Sequence, residues 1–81
     1  MQQVADRPFS IRQVPRNELM DGVRATINGR WYEIVGTDVG YEHLRARQLD
    51  PSDSPFGLPS QAAEPVLFGE MVTVLHNTIS A

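Results

Sequence analysis

His43 and His76 are the two histidines of this chain, and histidine is the side chain that ordinarily titrates near neutrality. Glu42 adjoins His43, but neighbours on a strand face opposite sides, so the pair does not converge. No histidine or carboxylate pair stands at metal-ligand spacing, and no metal site is expected. Ser52, Ser54 and Ser60 lie without the glycine pattern of a nucleophile elbow, and the glycines do not form a phosphate-binding loop. The absence of cysteine removes thiolate zinc sites, disulfides and cysteine nucleophiles together. A core this small rarely spares a pocket, so neither an enzyme nor a cofactor is expected; an enzyme or enzyme subunit centred on either histidine is the weakest alternative.

Two groups of residues could instead bind. The stripe Tyr41, His43, Arg45 and Arg47, if extended, offers aromatic stacking and phosphate contacts, as on small barrels that grip single strands. The formal net charge of −3 weighs toward a plain solvated face, so nucleic acid is the alternative rather than the expected partner. All seven basic residues are arginine, whose guanidinium is planar, bidentate and able to stack. The second group surrounds Trp31, the only tryptophan.

The element that positions Trp31 is a hairpin. "GVRATI" and "RWYEIV" flank Asn28-Gly29, the strongest short-range signal for a two-residue turn, because both residues tolerate positive φ. This turn sets Thr26 opposite Trp31, Ala25 opposite Tyr32, Arg24 opposite Glu33 and Val23 opposite Ile34. Val23, Ala25, Ile27, Tyr32 and Ile34 then share an apolar face that should be core. Arg24, Thr26, Trp31, Glu33 and Val35 share the other, with Arg24 and Glu33 a favourable cross-strand pair.

Around it, "PFSIRQVP" reads as a short edge strand between Pro8 and Pro15, and "PRNELMDG" as one helical turn with Leu19 and Met20 as its apolar contacts. "YEHLRARQL" fits either a helix or a strand, and a strand continues the meander. Residues 50–65 hold four prolines and three serines, a long loop that also carries Phe56 and Leu58. "VLFGEMVTVLH" reads as a final strand with a bulge or bend at Gly69, and 77–81 as a tail. Residues 1–7 read as a flexible start.

The run "DGVRATINGRWYEIVG" resembles the strand–turn–strand of SH3-like barrels over about a fifth of the chain. The expected fold is a single mainly β domain, 1–81, either a small antiparallel SH3-like barrel or a curled meander sheet. At 81 residues it buries roughly 60% of its unfolded surface, and with no disulfide or metal to staple it, self-association is expected. No basic start followed by an apolar run marks a signal peptide, and no apolar stretch approaches the roughly 20 residues that span a bilayer. A soluble, cytoplasmic protein without a membrane partner is expected.

Function follows as an expectation: a small protein-interaction module, of the compact kind frequent among accessory proteins of bacteria and phages. Its contact face would be Arg24, Trp31, Glu33 and Val35, with Phe56 and Leu58 from the loop. Trp31 has two fates in this reading. Either Phe56 and Leu58 fold back and cover it, or it meets a partner.

Overall fold

The computed structural model describes residues 9–36 and 43–78. Their strands are β1 (Phe9–Pro15), β2 (Arg24–Ile27), β3 (Arg30–Gly36), β4 (His43–Asp50), β5 (Leu58–Pro59), β6 (Glu64–Leu67) and β7 (Met71–Thr78), with one 3₁₀ turn at Arg16–Glu18. They form a seven-stranded antiparallel sheet in the order β1-β7-β2-β3-β4-β5, with β6 also paired to β4. The ends of this order do not meet. The fold is therefore a curled sheet rather than a closed barrel.

The hairpin forms as its turn dictates. Asn28 and Gly29 take φ of 56° and 78°, and the register pairs Arg24 with Glu33, Ala25 with Tyr32 and Thr26 with Trp31. Ile34 N–H donates to the Val23 carbonyl at 2.8 Å, which carries the pairing one step further. Ala25, Tyr32 and Ile34 enter the core, where Leu19, Leu44, Ala46, Phe68, Val72 and Val74 join them. Val23 and Ile27 pack against this cluster half-buried. Tyr32 and Phe68 meet edge to face, with ring centroids 6.1 Å apart.

Residues 43–50 are a strand, which decides between the two readings of that segment. Leu44 and Ala46 point into the core, while His43, Arg45, Arg47 and Leu49 take the opposite face. A register shift between Ile34 and Gly36 leaves Val35 as the extra residue of a bulge, and bulges bend the strand that carries them. That bend helps the sheet curl around its own core.

The C-terminal part departs from the sequence reading. "VLFGEMVTVLH" is not one strand but two, separated by a corner at Phe68–Glu70. The first half pairs with β4, and the second crosses to pair with β1 and β2. Arg16 ties the corner: its backbone N–H donates to the Glu70 carbonyl at 2.8 Å and its Nη1 to the Gly69 carbonyl at 3.1 Å. β7 also runs to Thr78, so residues 77 and 78 belong to the sheet and not to a tail. The 50–65 stretch likewise holds β5 and the start of β6. The 3₁₀ turn seats Leu19 in the core as expected but leaves Met20 72% exposed.

Candidate functional site

Trp31 stands on the face of the sheet opposite the main core, as the hairpin register requires, and is only 7% exposed. It belongs to a second, smaller apolar cluster. Its backbone N–H donates to the Ser52 carbonyl at 2.7 Å, which anchors the loop after β4 across the hairpin. Phe9, from the start of β1, meets the indole edge to face at 6.0 Å and Phe56 at 5.8 Å. Leu49, Ser54 and Pro55 are buried on the same side.

The loop is held by polar contacts as well. Arg24 Nη1 donates to the carbonyls of Pro55 at 2.7 Å and Gly57 at 3.0 Å, while its Nη2 lies 3.9 Å from Glu33. A guanidinium spreads its donors over a planar fork, so one arginine can hold two loop carbonyls and a cross-strand carboxylate together. The Ser54 hydroxyl accepts from Phe56 N–H at 3.1 Å, and Ser60 N–H returns to the Gln48 carbonyl at 2.9 Å. At Gly57 a Cβ would stand 2.6 Å from the Pro51 carbonyl oxygen, closer than any side chain permits. Only glycine lets the loop cross itself there.

This geometry places each residue of the expected contact face. Trp31 is covered by its own chain, and the burial comes from Phe9 and the loop, not from Leu58, which is 75% exposed. Arg24 and Glu33 are half-buried and occupied with each other, Arg24 also with the loop, while Val35 sits half-buried in the bulge and Phe56 half-buried beside Phe9. Leu58 alone of the six is an exposed side chain. Phe9 was the partner that sequence reasoning missed. Nothing local in "PFSIR" announces a contact with residue 31, although two aromatics and a long apolar-bearing loop near one tryptophan were a usable hint.

The residues of the basic stripe differ in exposure. His43 and Arg45 are exposed at the start of β4, whereas Arg47 is half-buried, with its Nε shielded from solvent and without a hydrogen-bond partner among the described residues. Tyr41 lies outside the described residues. His76 is exposed on β7. The Ser60 hydroxyl donates to the Ala62 carbonyl at 3.1 Å, a turn contact like that of Ser54. Among the described residues no group of three histidine or acidic side chains could hold a metal ion, and no helix is long and apolar enough to cross a membrane.

A different surface emerges on the β1–β7 ribbon. The pairs Ile11–Leu75, Gln13–Thr73 and Pro15–Met71 share the outer side of the sheet with the Thr26–Trp31 pair, since Thr73 also pairs with Thr26. None of these six ribbon residues is charged. Ile11 is 53% exposed and Met71 52%. The same ribbon ends the sheet, because among the described residues β1 pairs with β7 alone. Compared with protein families, curated proteins and solved structures, the chain matches none.

Proposed function

We propose that this chain is a small protein-interaction module whose contact surface is the β1–β7 ribbon. The observation that carries the reading is the uncharged strip Ile11, Gln13, Pro15, Met71, Thr73 and Leu75 beside an open strand edge. Protein surfaces normally scatter charge, and depletion of charge around exposed apolar side chains is the composition of an interface centre. An unpaired edge adds backbone donors and acceptors that another chain can satisfy. The six arginines among the described residues are engaged elsewhere or stand off this strip, so they do not interrupt it. A cytoplasmic setting and an accessory role go with the reading, in keeping with a cysteine-free chain.

The test is site-directed photo-cross-linking in cells of the encoding organism, with a photoreactive residue at Met71 or, as a control, at Asp53. Asp53 is also exposed but lies in the loop. Position 71 should give discrete covalent adducts and position 53 none. Adducts at 53 alone, or at neither position, would overturn the assignment.

A further inference from the structure

The ribbon's hydrogen bonds show which groups of β1 are free. Arg16 N–H donates to Glu70 O at 2.8 Å, which puts this pair at a hydrogen-bonding position of the ladder. Antiparallel ladders alternate, and the register continues from it through Val14–Val72 to Arg12–Val74. The backbone groups of Arg12 and Val14 therefore point to β7. Those of Ile11, Gln13 and Pro15 point outward, where no described strand meets them. Pro15 fits this parity, since a proline is tolerated in an edge strand where its missing N–H would face solvent.

The sheet's two edges are not equally protected. The far edge consists of β5 and β6, two and four residues long, interrupted between them and each carrying a proline, Pro59 and Pro65. Short, broken, proline-bearing strands are how proteins blunt an edge. β1 is seven residues long, and its stretch from Phe9 to Val14 has no proline and a single charge, Arg12. Among the described residues one edge is blocked and one is left open.

We propose that β1 pairs antiparallel with β1 of a second copy, in a register centred on Gln13. This deepens the interaction-module reading by naming its partner. Four symmetric registers centred between Ile11 and Val14 bring outward-pointing groups together, and the residues choose among them. Centring on Val14 joins Gln13 to Pro15, which has no N–H to return. Centring on Arg12 sets the two guanidinium-bearing residues directly opposite in the close, non-hydrogen-bonded position, where like charges repel. Centring on Ile11 carries the ladder to Phe9, beyond the register shift at Ser10/Ile11, where the ribbon turns Phe9 onto Trp31 and Phe56. Centring on Gln13 avoids both. The two Gln13 residues exchange backbone bonds, Ile11 N–H of each copy donates to the Pro15 carbonyl of the other, and Arg12 faces Val14. On the outer side Ile11 then lies against Pro15 of the second copy, next to Met71, so the exposed apolar side chains of the strip cover one another.

The chain's lack of cysteine makes the test clean. A hydrogen-bonded antiparallel pair has Cα atoms about 5.5 Å apart, within disulfide range. Gln13→Cys should therefore oxidise to a covalent dimer at least ten times faster than Arg12→Cys, with Leu58→Cys as the exposed control. In parallel, sedimentation of the parent chain should show a dimer at tens of micromolar. Gln13→Pro removes only an outward N–H and should weaken that dimer at least tenfold while the far-ultraviolet spectrum stays unchanged. A parent chain monomeric to several hundred micromolar would overturn the pairing. So would cross-linking that is fastest at Arg12 or at Leu58. If the chain is monomeric yet Met71 still cross-links to another protein in cells, the self-pairing fails and the interaction-module reading stands; if neither occurs, both fail.

Discussion

Trp31 and Leu58 separate two roles that their shared hydrophobicity hides. Trp31 is buried under Phe9 and the loop, so Trp31→Ala should cost about 3–5 kcal/mol, as for other buried aromatics truncated to alanine. Ile34→Ala, at a fully buried position of the main core, should cost about 2–5 kcal/mol. Leu58→Ser removes a side chain that is three-quarters exposed and should stay within about 0.5 kcal/mol of the parent. Denaturant melts check all three. The indole should emit blue-shifted in dilute protein, and an unshifted melt for Trp31→Ala would return this residue to the surface. Burying Arg47 Nε with no partner among the described residues costs on the order of 1–3 kcal/mol.

At the scale of elements, what was legible in the sequence was local. Asn28-Gly29 fixes its own hairpin because turn geometry, register and face all follow from two residues and a period of 2. The same reasoning located β1 as an edge strand from its flanking prolines. It did not reveal the split between β6 and β7, because Val66, Phe68, Val72 and Val74 keep one alternating phase across the corner at Gly69. Period-2 patterning says which face a residue takes and is silent on which strand lies beside it. For that reason the β1–β7 and β2–β7 pairings, the aromatic contact of Phe9 and the bare edge had no local signal. The start of β4 carries its own prediction: with only His43 and Arg45 of the described stripe exposed, single-stranded oligonucleotides should show no salt-sensitive binding at micromolar protein. Affinity that falls steeply with salt and weakens in Arg45→Ala would instead favour the nucleic-acid alternative.

At the scale of the whole molecule, the sheet has two apolar faces and solves them differently. The main core is covered by the curl of the sheet, and the opposite face by the 50–57 loop clipped down by Arg24. Neither covering reaches the outer side of the β1–β7 ribbon, which is why the exposed Ile11 and Met71 coincide with the open edge. Residue-by-residue amide hydrogen exchange, followed from dilute to concentrated protein, tests this most directly. In dilute solution Arg12 and Val14 should exchange slowly and Ile11 and Gln13 fast, since only the first pair donates to β7. On concentration, Ile11 and Gln13 should become protected while Leu58 does not change. Ile11 and Gln13 already protected in dilute protein, or concentration-dependent protection confined to the loop over Trp31, would contradict the assignment of the ribbon as the contact surface.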